Sequence, residues 1–300
     1  MRMELSFAAM FRLNGVDLTV RMTQTTQNAQ AETKTTLVIG GTGKTGRKVA
    51  ERLADKGLPV RIGSRNADRP FVWEDPATWA GALEGVGAVY ITYYPDLGFP
   101  GGAEAVGEFS AFAVAHGARR LVLLSGRGEE GAQAGEEKMK ESGADWTVVR
   151  ASWFNQNFNE SFFLEPVLAG ELALPTGDAV EPFVDTDDIA DVAVAALTGD
   201  QHIGKTYELS GPRLLSFQDV ATELSKATGR EISYIPVSID DYRAALAEHG
   251  QPVEFADLFG LILDGRNAYL VHGVEEALGR KPRDFSDFAR DAAASGVWNV

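Results

Sequence analysis

Thr36-Leu37-Val38-Ile39-Gly40-Gly41-Thr42-Gly43-Lys44-Thr45-Gly46 is the stretch that decides the fold. A short apolar, β-branched run stops at glycines, and an amphipathic stretch from Lys44 to Lys56 follows with Gly57 just past its end. Pro59 to Ile62 then returns to β-rich sequence. Strand, glycine turn, helix and strand in that order make the dinucleotide-binding unit, whereas an isolated glycine triplet recurs by chance. Gly41, Gly43 and Gly46 satisfy one spacing of the fingerprint, and Gly40, Gly43 and Gly46 a second. The first glycine permits the tight turn, the middle one lets backbone reach a pyrophosphate, and the last lets helix and strand pack closely. Diphosphate charge then rests on the unsatisfied amides of the helix start. A triphosphate loop is excluded, because that motif needs a glycine where Val38 stands inside the strand.

Outward from the loop, short β runs alternate with helical stretches, which predicts a parallel sheet covered on both faces. Expected strands are Phe71-Val72-Trp73, Val86 to Thr92, Arg120 to Ser125 and Trp146 to Arg150. Expected helices are Asp75/Pro76 to Leu83, Ala103 to His116 and Gly135 to Ser142. Past Arg150 the regularity loosens. Asp187 to Leu197 reads as a helix with Asp185 and Thr186 as its oxygen cap; these acids resemble a metal cluster, but no histidine or third carboxylate is placed to complete one. Strands are expected over Thr206 to Leu209 and Ile232 to Ile235, and helices over 217–228, 240–249, 255–263, 274–278 and 285–294. The fold class is therefore α/β, a Rossmann-type doubly wound parallel sheet with a smaller, mostly helical C-terminal portion that faces the substrate. In residues, 1–34 form a flexible extension, 35–152 the NADP-binding Rossmann domain and 153–300 the substrate-facing portion, with about 180–210 returning to the Rossmann domain.

Composition narrows the function classes. The 300 residues carry a net charge of -15 with no Lys/Arg stripe, so direct nucleic-acid binding is not expected. Cysteine is absent, which removes disulfides, thiolate nucleophiles and cysteine metal sites and suits a reducing cytoplasm, the expected location. No apolar run approaches the roughly 20 residues of a membrane span, and the Leu5 to Phe11 run is short and flanked by charge. His116, His202, His249 and His272 are scattered without metal-ligand spacing, so no metal is expected. No Gly-x-Ser-x-Gly elbow occurs. The expected partner is a small molecule, with the protein a monomer or homodimer.

Cofactor choice is read from the end of the second strand. NAD-selective folds place a carboxylate there for the ribose 2′-hydroxyl, whereas a 2′-phosphate calls for cations and hydroxyls. Here the residues are Gly63-Ser64-Arg65-Asn66, with no acid before Asp68. Ser64 and Arg65, with Lys44 as a second positive charge, favour NADP(H). The expected cofactor site is thus Gly40, Gly41, Thr42, Gly43, Lys44, Thr45, Gly46, Ser64 and Arg65, joined by Tyr93, Ser125 and Gly126 at strand ends beside the nicotinamide ribose. Ligands in such sheets bind beyond the carboxyl ends of the strands. Tyr94, Arg127, Trp153, Phe154 and Asn157 are there to wall a flat, apolar substrate site, although ordinary core packing explains such aromatics equally well.

The glycine loop, Ile62-Gly63-Ser64-Arg65, Leu123-Leu124-Ser125 and Glu136 to Phe158 (EEKMKESGADWTVVRASWFNQNF) together resemble the NmrA-like atypical short-chain dehydrogenases/reductases. Gly265-Arg266-Asn267-Ala268 and Gly279 to Phe285 resemble the bacterial branch of that family. The resemblance spans about residues 36 to 298. It implies relatives such as NADPH-dependent quinone oxidoreductases and clavine dehydrogenases, and also non-catalytic NADP-sensing regulators. One departure from ordinary short-chain dehydrogenases matters. Those enzymes use a Tyr-x-x-x-Lys pair in which lysine lowers the tyrosine pKa. None of the tyrosines here (90, 93, 94, 207, 234, 242, 269) has lysine four residues on, and the usual positions fall near Gly128 and Ala132. The cofactor must then carry the hard chemistry while the protein supplies position and field. The expected function is NADPH-dependent reduction of a quinone-like, enone or iminium acceptor, with Tyr93, Tyr94 or Ser125 as candidate proton donors. The alternative is a non-catalytic NADP(H)-sensing protein, or a scaffold with a vestigial site.

Overall fold

The computed structural model describes residues 34–300 apart from 252, 254, 255, 258, 261 and 262. The expected extension over 1–34 therefore lies outside the described residues up to 33, and the expected 255–263 helix falls partly outside them. Apolar residues in the central strands are buried on both faces, which is what makes them parallel and interior. The strands are β1 (Thr35–Ile39), β2 (Val60–Gly63), β3 (Val86–Ile91), β4 (Arg120–Gly126), β5 (Asp145–Ala151) and β8 (Lys205–Leu209). They form one six-stranded parallel sheet in the order β2-β1-β3-β4-β5-β8.

Period-two alternation divides that sheet's side chains between two cores. Leu37, Ile39, Val89, Ile91, Leu121 and Leu123 point to one face. They meet Trp79, Phe109 and Met139 from α2 (Trp79–Leu83), α3 (Gly102–Ala115) and α4 (Glu130–Glu141). Val38, Tyr90, Val122 and Val149 point to the other face, against Val49 and Leu53 of α1 (Gly46–Asp55) and Ile189 and Val192 of α7 (Thr186–Thr198). The Asp185 side chain accepts from the Asp187 amide, so it caps α7 as expected.

Two differences from expectation concern strands. Phe71-Val72-Trp73 forms none. The Val72 amide and carbonyl are taken by side chains, the amide donating to Thr78 Oγ1 (3.1 Å) and the carbonyl accepting from Trp79 Nε1 (2.9 Å). Phe71 meanwhile packs edge-on against Trp73 and Phe109, so the segment is an aromatic plug whose backbone has no ladder to join. The second difference lies past Ala151, where α5 (Asn157–Glu160), α6 (Leu164–Ala169) and β6 (Glu171–Leu174) occupy a stretch of irregular pattern. β6 pairs in parallel with β10 (Ser233–Pro236), and β7 (Val180–Glu181) in antiparallel with β9 (Leu215–Ser216).

A third core gathers these pieces. Phe158, Phe163, Phe183, Phe217, Phe285 and Trp298 are fully or almost fully buried together, drawn in part from α8 (Phe217–Thr228) and from α11 (Phe285–Ala294). Other helices of this portion are α9 (Ile239–Glu248) and α10 (Gly273–Leu278). Phe158 touches four aromatic rings at 4.9 to 6.5 Å, and its carbonyl accepts from Trp298 Nε1 at 3.0 Å. Phe158→Ala is expected to cost about 3–5 kcal/mol through lost transfer energy and cavity formation. Denaturant unfolding should show the lower midpoint at unchanged slope; a loss under about 1 kcal/mol would mean this core is not a single packed unit.

Candidate active site

The glycine loop is shaped by contacts that no side chain could tolerate. The Gly43 amide donates to the Gly40 carbonyl at 2.8 Å and closes the turn, and Gly40 itself sits at φ 67°. A Cβ on Gly46 would collide with that same carbonyl and lie 3.0 Å from Gly41 Cα; one on Gly41 would lie 2.8 Å from Ile62. Helix α1 has no side-chain cap at Thr45 and no acidic residue in its first turn. Its leading amides and positive dipole end are therefore left for an external anion, and the cradle that added Cβ atoms would fill suits a diphosphate.

At the second strand's end Arg65 is exposed, and among the described residues it makes no hydrogen bond or ion pair. Ser64 is half-buried, its carbonyl holding the Phe71 amide at 3.0 Å. Lys44 lies elsewhere. Its Nζ donates to Asn157 Oδ1 at 2.7 Å and sits 5.8 Å from the ring centres of Phe154 and Phe162. Burial lowers its pKa to about 8, with Glu160 pulling the other way. Lys44 is thus directed to the cavity, whereas the sequence grouped it with Arg65.

Beyond the carboxyl ends of β3, β4 and β5 opens a cavity of about 260 Å³. Lys44, Tyr93, Ser125, Gly126, Arg127, Trp153, Phe154 and Asn157 all line it, so the chain brings these candidates together. Tyr94 does not line it and is 74% exposed. Tyr93 packs on Trp73 at 5.1 Å, and its hydroxyl makes no hydrogen bond among the described residues. Trp153 is stacked on Phe163 at 6.1 Å, and its indole N–H has no partner among the described residues.

Ser125 and Arg127 face the cavity with their polar atoms engaged. Ser125 Oγ donates to Glu136 Oε1 at 2.6 Å. Glu136 is fully buried and also takes Arg150 Nε (2.9 Å) and Nη2 (2.6 Å), while Arg150 Nη1 reaches Glu208 Oε1 at 2.7 Å. The doubled carboxylate contact drives the Arg150 pKa further up. The hydroxyl proton of Ser125 is therefore committed inside the protein. Arg127 is almost fully buried, donates to Ser152 Oγ at 2.8 Å and lies 4.5 Å over the Tyr269 ring. It braces the cavity wall more than it offers a free charge.

Sequence reasoning missed two acids in the lining, Asp96 after β3 and Glu129 after β4. Glu129 is nearly buried, and burial together with Asp96 pushes its pKa up to about 9. It also missed Phe162 and Asn267. Asn267 Nδ2 donates to the Arg127 carbonyl at 3.1 Å and Arg266 Nη1 to the Gly128 carbonyl at 2.9 Å. Those two residues stood in the quoted Gly265-to-Ala268 segment, so a signal was present, but its role as a clasp on a distant loop depends on the fold.

A family model described as NAD(P)H-binding matches residues 40–200. The chain is 32% identical to agroclavine dehydrogenase of Claviceps fusiformis, over 88% of this chain and 98% of that one. It is 35% identical to (4-alkanoyl-5-oxo-2,5-dihydrofuran-3-yl)methyl phosphate reductase of Streptomyces griseus, over 86% and 97%. The structure of an NADPH-dependent quinone oxidoreductase from Escherichia coli complexed with NADPH superposes with a TM-score of 0.68 at 21% identity, covering 86% of this chain and 99% of that one, which establishes likeness of fold.

Gly46→Ala should raise the Kd for NADPH by at least about tenfold, since about 1.4 kcal/mol of loop distortion suffices. Fluorescence titration at unchanged circular dichroism is the check. Unaltered affinity would separate the glycine loop from cofactor binding.

Proposed function

The chain belongs to the NAD(P)H-binding family, as an oxidoreductase of the NmrA-like atypical short-chain type, and from that premise we propose that it uses NADPH to reduce flat, conjugated small molecules of quinone, enone or iminium character. The observation that carries the proposal is the aromatic-walled cavity opening beside the glycine loop at the ends of β3, β4 and β5. A bound reduced nicotinamide would supply a hydride there. The protein's own contribution is to hold a planar acceptor between Tyr93, Trp153 and Phe154. Conjugated acceptors suit the absent Tyr-x-x-x-Lys pair, because charge arriving on them is delocalised. The matched relatives named above are a dehydrogenase and a reductase along nearly their whole length, which favours turnover over passive sensing of the cofactor ratio.

Preference for NADPH over NADH rests on Ser64 and the unengaged guanidinium of Arg65. Charge-assisted hydrogen bonds are worth about 1.5–3 kcal/mol, so Arg65→Ala should weaken NADPH binding about 10- to 100-fold. NADH binding should hardly move. Equal weakening of both cofactors would remove Arg65 from the 2′-phosphate.

Turnover is tested by following NADPH consumption with purified protein across quinones, enones and cyclic iminium ions. Reduction of at least one class is expected. Tight NADPH binding with no acceptor reduced would defeat the proposal.

A further inference from the structure

We propose that Glu129 is the proton donor of the reaction, paired with Asp96 as the group through which its proton is replaced. This rests on the reductase reading above and deepens it. The two acids come from separate elements. Asp96 follows β3 and Glu129 follows β4, and the strands' adjacency brings them to one wall of the cavity.

Backbone without side chains makes room for them. A Cβ on Gly126 would collide with Glu129 Oε1, and one on Gly98 would lie 2.6 Å from Glu129 Oε2 and 3.2 Å from Asp96 Oδ1. The Glu129 carboxyl is therefore wedged between two glycines, one of them at the end of β4 beside Ser125. Glu129 is 9% exposed, and its carboxyl shares a side-chain hydrogen bond with Asp96.

Among the described residues burial and Asp96, and no cation, act on it, and the nearby Arg266 is turned to the Gly128 carbonyl and to Asp264. Besides Glu129, the cavity is lined by three charged side chains, Lys44, Asp96 and Arg127. Lys44 donates to Asn157, and Arg127 to Ser152 with Glu208 at 3.8 Å. Asp96 Oδ1 accepts from the Gly98 amide at 2.7 Å. Two carboxyl groups in one desolvated place cannot both ionise, so one keeps its proton. Burial and the Asp96 charge raise Glu129 to about 9, which assigns that proton to Glu129 at neutral pH. A neutral carboxylic acid in a substrate cavity can give its proton and recover it through its hydrogen-bonded neighbour Asp96, whereas the Ser125 hydroxyl donates to the fully buried Glu136.

The step balances simply. A quinone or enone that has received hydride carries an extra electron pair on oxygen. The Glu129 O–H bond breaks, a new O–H bond forms on the acceptor, and the Glu129 carboxylate recovers a proton from water by way of the more exposed Asp96. An iminium acceptor becomes neutral on taking hydride and needs no proton, so Glu129 is idle with it.

Three measurements on the full chain test this. At pH 7.5 the infrared band of a protonated carboxyl should weaken on Glu129→Gln, with no acceptor or cofactor present. With a quinone, Glu129→Gln should lower kcat about 100-fold or more at similar KM, the usual scale of general acid catalysis. The acid form is the active one, so wild-type quinone turnover should be level at neutral pH and fall about tenfold per unit above pH 9. Asp96→Asn removes the like charge and should move that falling limb to lower pH, which gives a second route should Glu129→Gln not fold. Quinone turnover and pH limb unchanged in both variants, or an infrared band indifferent to Glu129, overturns the acid pair and leaves the reductase standing. Wild-type protein that reduces nothing defeats both.

Discussion

Burial of the central strands on both faces is the constraint from which the rest follows. β1, β3, β4 and β5 have apolar side chains above and below the sheet, with α2, α3 and α4 on one side and α1 and α7 on the other. A polar group within such strands has no water to pair with and must find its partner inside the protein. Chemistry is displaced to the strand ends, where the ladder stops and backbone turns outward. Gly40, Thr92, Ser125 and Ser152 each stand at or just past such an end, and the cavity opens there.

One buried network fixes the shape of that opening. Ser125, Glu136, Arg150 and Glu208 join β4, α4, β5 and β8 through hydrogen bonds of 2.6 to 2.9 Å. A fully buried carboxylate is costly alone, and here its charge is met by a guanidinium and a hydroxyl at once. The result is a stiff floor whose surface presents Gly126 and the Ser125 oxygen. Over it the clasp of Arg266 and Asn267 holds the β4–α4 loop at Arg127 and Gly128. Glu129 is the next residue along that loop, so its position is inherited from both.

Much of this was legible before the fold was known, because local rules sufficed. Glycine spacing after Ile39, alternation in the strands and the Asp185 cap depend on neighbours a few residues away. The aromatic plug at Phe71 to Trp73 misled, since its composition is strand-like and only the side chains of Thr78 and Trp79 show why its backbone is already spoken for. Lys44 lay within the phosphate loop in sequence, yet its direction depends on Asn157, more than a hundred residues later. Asp96 and Glu129 were invisible as a pair for the same reason. Neither carries a motif, and only the parallel register of β3 with β4 makes them neighbours.

The route between β5 and β8 has a further meaning. The chain leaves the sheet at Ala151 and does not rejoin it until Lys205, and Trp153, Phe154, Asn157 and Phe162 of the cavity all lie inside that excursion. Loop-closure entropy rises only with the logarithm of length, so even doubling such a detour costs about 0.6 kcal/mol. Length added at an exposed turn of that roof is therefore cheap in chain entropy, while the rungs on either side keep their register. The same excursion also carries Phe158, Phe163 and Phe183 of the third core and the α7 face under the sheet, so the cavity roof and part of the scaffold are written on one stretch of polypeptide.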